Sequence, residues 1–134
     1  MMSEKTSLGP ATPLLIVADL AAARDFYTQK LGFDCLFQAP SEDPFFAMLG
    51  RDDAQIMLKA VGPEVAPLPN PVRHPWAAWD IFIYVEKPDD LAAEFAAEGT
   101  SFRKTLGDTD DGLRGFEIAD ADGYVVFFGR PNQP

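Results

Sequence analysis

Apolar and polar positions along the chain follow two rhythms. Between 20 and 31, Leu20, Ala23, Tyr27 and Leu31 recur at helical spacing, which predicts a helix. Asp19 stands ahead of it as a capping carboxylate, and Gly32 follows as a stop. A second helix is predicted after Pro88-Asp89-Asp90, where a proline and two carboxylates suit the positive end of a helix. Leu91, Ala92, Phe95 and Ala96 give its apolar face, and Gly99 ends it. The remaining apolar runs are short and read as strands, at 14–18, 33–38, 45–49, 55–61, 81–85, 102–106, 113–119 and 124–129. Turn clusters such as Arg51-Asp52-Asp53 and Asp120-Ala121-Asp122-Gly123 separate them.

The order of these elements repeats: strand, helix, three strands, then the same again. Val17 aligns with Val85, Leu20 with Leu91 and Gly32 with Gly99, so the repeat rests on element order more than on identity. Between the halves, Pro63, Pro67, Pro69, Pro71 and Pro75 predict a linker without regular structure. The expected organisation is one domain over 1–134, with a first module at about 10–61, a linker at 62–76 and a second module at about 77–130.

Composition narrows the chemistry. The 134 residues include 47% hydrophobic and 24% charged side chains, an ordinary globular balance that excludes disordered and fibrous classes. Eleven basic residues against 21 acidic ones give −10, a field that repels nucleic acid and anionic lipid and favours cationic or neutral small partners. No nucleic-acid or membrane partner is therefore expected. One cysteine and one histidine exclude an internal disulfide framework and a zinc site built mainly from His and Cys. Cys35, between Phe33 and Phe37, reads as a small buried apolar residue. The polar start at 1–6 lacks the apolar run of a secretory signal, and with the free cysteine this predicts a cytoplasmic protein.

Two signatures at opposite ends carry a family resemblance. Val17-Ala18-Asp19-Leu20, followed by Phe26-Tyr27 and Leu31-Gly32-Phe33, resembles the opening of the vicinal oxygen chelate superfamily. Gly112-Leu113-Arg114-Gly115-Phe116-Glu117-Ile118 through Asp120-Ala121-Asp122-Gly123-Tyr124 resembles its last hairpin. The resemblance implies an α+β fold of two βαβββ modules forming a concave sheet around a cleft. It leaves function open, since the superfamily includes glyoxalases, extradiol dioxygenases, epimerases, fosfomycin-modifying enzymes and bleomycin-binding resistance proteins.

The same resemblance implies where metal-dependent members place their ligands. Carried over residue by residue, those positions are Thr12, Met57, Asp80 and Phe127. Only Asp80 is a hard-metal ligand, and Lys59 beside the set would repel a cation, so no metal and no cofactor are expected. His74, in Arg73-His74-Pro75-Trp76, reads as a loop residue packed on tryptophan.

Strand alternation then says what lines the cleft. If Asp80 faces it, Phe82 and Tyr84 do too, while Ile81, Ile83 and Val85 pack under the helices. Val125, Phe127 and Gly129 share the cleft face, and Val126 and Phe128 the helical one; Thr12, Leu14 and Ile16 line it from the first strand. The expected ligand-binding set is Phe46, Trp76, Asp80, Phe82, Tyr84, Arg114 and Phe127, with no catalytic residue. Its aromatic rings would sandwich a flat ligand, and Asp80, Glu117 and the negative field would favour a cationic one. The resulting expectation is a metal-independent small-molecule-binding protein similar to the bleomycin-resistance branch, its crevice completed in a homodimer. The alternatives are a lyase or isomerase of the same superfamily, and a purely structural role.

Overall fold

A computed structural model describes residues 5–132. Most of the polar start, at 1–4, lies outside the described residues, as do 133–134 at the end of the expected domain span. The elements are β1 (Leu14–Ile16), α1 (Leu20–Asp25), β2 (Asp34–Ala39), β3 (Phe46–Arg51), β4 (Ala54–Lys59), α2 (Asn70–Arg73), β5 (Ile81–Tyr84), α3 (Pro88–Ala97), β6 (Lys104–Asp108), β7 (Leu113–Ala119) and β8 (Val125–Pro131). They form two four-stranded sheets, β1-β4-β3-β2 and β5-β8-β7-β6, which we term sheets A and B. In each, the first strand runs parallel to the last and the other pairings are antiparallel. This is the repeated βαβββ, α+β arrangement that the element order predicts.

The predicted helices form where their signals stand. Asp19 caps α1 by accepting a hydrogen bond from the Ala22 amide at 3.0 Å. After Asp25 the helix widens into a π-helical turn, Phe26–Lys30, and Gly32 then turns the chain at a φ of 73°. The linker departs from expectation in one place: Asn70–Arg73 makes a helical turn, because Pro71 falls in its first turn, where a missing N–H costs nothing. Among the described residues no helix is long and apolar enough to cross a membrane.

One hydrophobic core serves both modules. Leu15, Leu49, Ile56 and Leu58 from sheet A meet Phe116, Ile118, Val126 and Phe128 from sheet B, with Tyr27 and Phe95 from the two helical segments. Each helical segment also reaches the β-hairpin turn of the other module. Tyr27 Oη donates to Asp120 Oδ2 at 2.6 Å, and Arg51 forms a two-pronged pair with Glu94 at 2.8 and 2.9 Å. Tyr124 Oη adds a bond to the Ile16 carbonyl at 2.6 Å. The helix-covered faces of both sheets are thus spent on the core. The faces turned away from it remain open.

Those open faces carry apolar side chains. On sheet A, Leu14, Met57, Met48 and Phe37 stand in register across the four strands, with Leu14 and Phe37 half exposed. Cys35 is exposed rather than buried: β2 is an edge strand, and its register shifts between Cys35 and Phe37.

Candidate functional site

Cross-strand register builds the site on the open face of sheet B. Phe82, Phe127, Glu117 and Lys104 are direct partners across β5, β8, β7 and β6, so their side chains stand in one row. In the neighbouring row, Tyr84, Gly129, Gly115 and Gly107 are partners in the same order. The Phe127 ring lies over two of these glycines. A Cβ on Gly115 would come within 2.8 Å of its Cε1, and one on Gly129 within 2.6 Å. Phe82 stacks on Phe127 with ring centroids 5.3 Å apart and planes 17° from parallel. Trp79 completes the group, 4.9 Å from Phe127 and 5.6 Å from Phe82. Phe127 is only 2% exposed, whereas Phe82 is 39% exposed and presents the group to solvent.

Asp80 holds this group in place. One of its carboxylate oxygens accepts the Asn70 amide at 2.7 Å, the other the Val125 amide at 2.8 Å. The Asn70 side chain donates to the Trp79 carbonyl at 3.4 Å. Asp80 therefore pins the linker helix and the start of β8 to the segment that carries Trp79. Its charge is met by backbone N–H groups.

Next along the row, Glu117 is 3% exposed and pairs with Arg103, with Lys104 Nζ 3.9 Å from its second oxygen. Two cations thus stand against one buried carboxylate. A cavity of about 600 Å³ lies at the seam between the modules and includes Phe82 and Tyr84 in its lining, beside Phe33, Ile83, Phe95 and Phe128, with Arg51, Asp52 and Glu86 among its charged groups. Arg51 is already committed there to Glu94.

A family model described as Glyoxalase/Bleomycin resistance protein/Dioxygenase superfamily matches residues 9–128. The chain belongs to that superfamily. Among curated protein sequences none matches it. Solved structures of similar fold include TioX from Micromonospora sp. ML1, at 21% identity and a TM-score of 0.69, covering 92% of this chain and 99% of that one. TnmS3, an antibiotic binding protein from Streptomyces sp. CB03234, is 19% identical with a TM-score of 0.69, covering 95% and 99%. A glyoxalase/bleomycin resistance protein/dioxygenase from Nocardioides is 19% identical with a TM-score of 0.65, covering 97% and 92%.

The donor set at the superfamily's metal positions does not fit a metal. Thr12 donates its hydroxyl proton to Gln55 at 3.1 Å, Met57 sits in the apolar row of sheet A, and Phe127 is the buried ring of the aromatic group. Both Asp80 oxygens accept backbone N–H groups. Among the described residues no three His, Cys, Asp or Glu side chains are grouped to hold an ion.

Of the residues expected at a superfamily cleft, the structure brings together Phe82 and Phe127, held in place through Asp80. Tyr84 shares their face and is well exposed. Phe46 lies on sheet A, where its ring packs on Phe37 at 6.3 Å, in a different aromatic group. The two sheets share one core through their helix-covered faces, and Phe82 and Tyr84 border the cavity at the seam between the modules. Trp76 is 89% exposed and sits against His74, whose Nδ1 accepts the Trp76 amide at 3.1 Å. The tryptophan on the site is Trp79, which is absent from the expected set. Ala78 adopts a left-handed φ of 66° just before it, and the strand begins only at Ile81, so the two-residue period does not reach Trp79.

Arg114 is a second correction. It is in phase with Phe116, on the helix-covered face, and forks to Asp89 at 2.8 Å and Asp108 at 2.9 Å. Hydrogen bonds from Arg114 hold the Asp89 carboxyl below its ordinary range, and those same bonds raise the guanidinium's pKa. Its role is to tie the start of α3 to the β6–β7 hairpin.

Proposed function

We propose that this protein is a metal-independent binding protein for a flat, aromatic small molecule, held against the Trp79–Phe82–Phe127 group of sheet B. The observation that carries the reading is that group itself: a stacked pair of rings and an indole on an open sheet face, seated over glycines that make room for the Phe127 ring. Stacking on such rings contributes roughly 0.5–1.5 kcal/mol per pair beyond the area buried. The misfit of the metal positions supports binding without a metal. The fold it shares with TnmS3, an antibiotic binding protein, is in keeping with a binding role.

A second copy of the chain completes the crevice in this reading. Leu14 and Phe37 on sheet A, and Phe82 and Tyr84 on sheet B, leave apolar area facing solvent in a single chain. A cytoplasmic setting fits the free, exposed Cys35. Isothermal titration with a soluble anthracene derivative tests the binding claim, with recovery of the compound to show whether it is altered. Saturable binding with the compound recovered unchanged is expected; absence of binding across a set of planar aromatic compounds would overturn the proposal. So would conversion of the compound to a product.

A further inference from the structure

The charge on the open face of sheet B runs against the charge of the whole chain. Although the sum is −10, the strand residues of that face include one acid, Glu117, and one base, Lys104. Arg103, immediately before β6, adds a second cation and pairs with the same carboxylate. The two acids expected to draw a cation, Asp80 and Glu117, are both engaged within the chain, and exposed Glu86 stands beyond β5, at the edge opposite Lys104. Asp80 accepts two backbone amides, Asp89 and Asp108 are forked by Arg114 on the helix-covered face, and Glu94 is held by Arg51. Asp120 is buried against Tyr27.

Glu117 neutralises only one of its two neighbours. A guanidinium has five N–H donors in a planar fork, and the Glu117 contact uses one of Arg103's. The Arg103 side chain is 37% exposed and that of Lys104 68%, so both can meet a ligand without leaving the carboxylate. They stand in a defined place. Phe82, Phe127 and Glu117 are partners on successive strands about 4.8 Å apart, and both cations reach the Glu117 carboxylate, so the cationic end lies about 10 Å from Phe82. A fused ring system of two or three rings bearing a terminal group spans that distance.

We infer that the ligand is a planar aromatic anion: its rings lie on Trp79 and Phe82, and a carboxylate or ionised phenol at its far end meets Arg103 and Lys104. The inference rests on the aromatic-platform reading above, and it reverses the cationic preference that net charge alone suggests. Arg103 supplies the fork that a carboxylate matches, and Lys104 a mobile point charge. Glu117 acts as the buried support that fixes the Arg103 guanidinium at the edge of the platform.

Three anthracene probes of nearly equal shape separate the outcomes: the carboxylate, the neutral carboxamide and the aminomethyl cation. Affinities are read by quenching of tryptophan fluorescence in the full chain, at low and at high salt. The carboxylate is expected to bind about tenfold tighter than the cation, and its advantage to shrink at high salt. Lys104→Gln, a change at an exposed side chain, is expected to weaken the carboxylate about three- to fivefold and leave the carboxamide unchanged. Arg103→Lys, which keeps the charge and the pairing to Glu117, is expected to retain binding of the carboxamide while weakening the carboxylate. If the carboxamide or the cation binds as tightly as the carboxylate, or K104Q does not discriminate among them, the charge inference is wrong and the platform stands. If none of the three binds, the platform reading falls with it.

Discussion

Asp120 shows how one side chain can set the pH response of the fold. Burial lifts its pKa from 3.8 to about 6, against the opposing effect of hydrogen bonds from Tyr27 and the Asp122 and Tyr124 amides. The folded chain therefore holds a proton that the unfolded chain releases between pH 4 and 6. That contribution to stability is fully present below about pH 4 and is lost as pH rises through about 6, amounting to about 3 kcal/mol. Urea midpoints at pH 5 and pH 7.5 check it. The native chain is expected to gain stability on acidification by about 1.4 kcal/mol more than Asp120→Asn, and equal gains would contradict the assignment. At the same scale, Asp80→Asn places an amide donor against a backbone N–H. It is expected to cost about 1–3 kcal/mol and to shift Trp79 emission, whereas a spectrum and midpoint unchanged from the native chain would remove the clamp role. The roles of these residues were only partly legible in the sequence. Residue type marked Asp80 as polar at the site, but nothing in its spacing shows that both oxygens are consumed by the chain. Trp79 was missed because it lies before the strand begins at Ile81, beyond the reach of the two-residue period.

Within the strands, alternation was a better guide. It assigned Phe82 and Tyr84 to one face of β5 and Ile81 to the other, and it separated Val126 and Phe128 from Phe127. Applied to β7, the same rule places Arg114 with Phe116 on the helix-covered face, away from the ligand-binding set in which it was expected. The glycines of β7 and β8 have a meaning that only register reveals. Gly115 and Gly129 are cross-strand partners, and together they make room for the Phe127 ring. A methyl on Gly115 would also come within 2.2 Å of the Phe128 carbonyl oxygen. Gly115→Ala is therefore expected to destabilise the fold by about 1–3 kcal/mol, read as a lower urea midpoint, and an unchanged midpoint would show that the sheet yields there. Phe82→Ala, at a half-exposed position, is expected to leave folding largely intact and weaken aromatic ligands about two- to tenfold. An affinity unchanged in that variant would count against the platform.

At the scale of the whole molecule, the repeat read from element order describes the two sheets well. What it did not disclose is how the sheets meet. The chain buries the helix-covered faces in one core, and Phe82 and Tyr84 of sheet B border the cavity at the seam together with Arg51 and Gln55 of sheet A. Single-chain periodicity says which side of a strand is apolar, but not which apolar side a second chain covers. A particle mass of two chains in solution by light scattering is the expected result, and a monomer at binding concentrations would leave the platform without its cover. The central claim, that an aromatic ligand lies on Trp79, can be tested because the sequence has two tryptophans. Trp76→Phe and Trp79→Phe each leave one emitter, and both can be titrated with anthracene carboxylate. Saturable quenching is expected in W76F, and loss of both quenching and affinity in W79F. Quenching that survives in W79F at undiminished affinity, or that is absent from W76F, would contradict it.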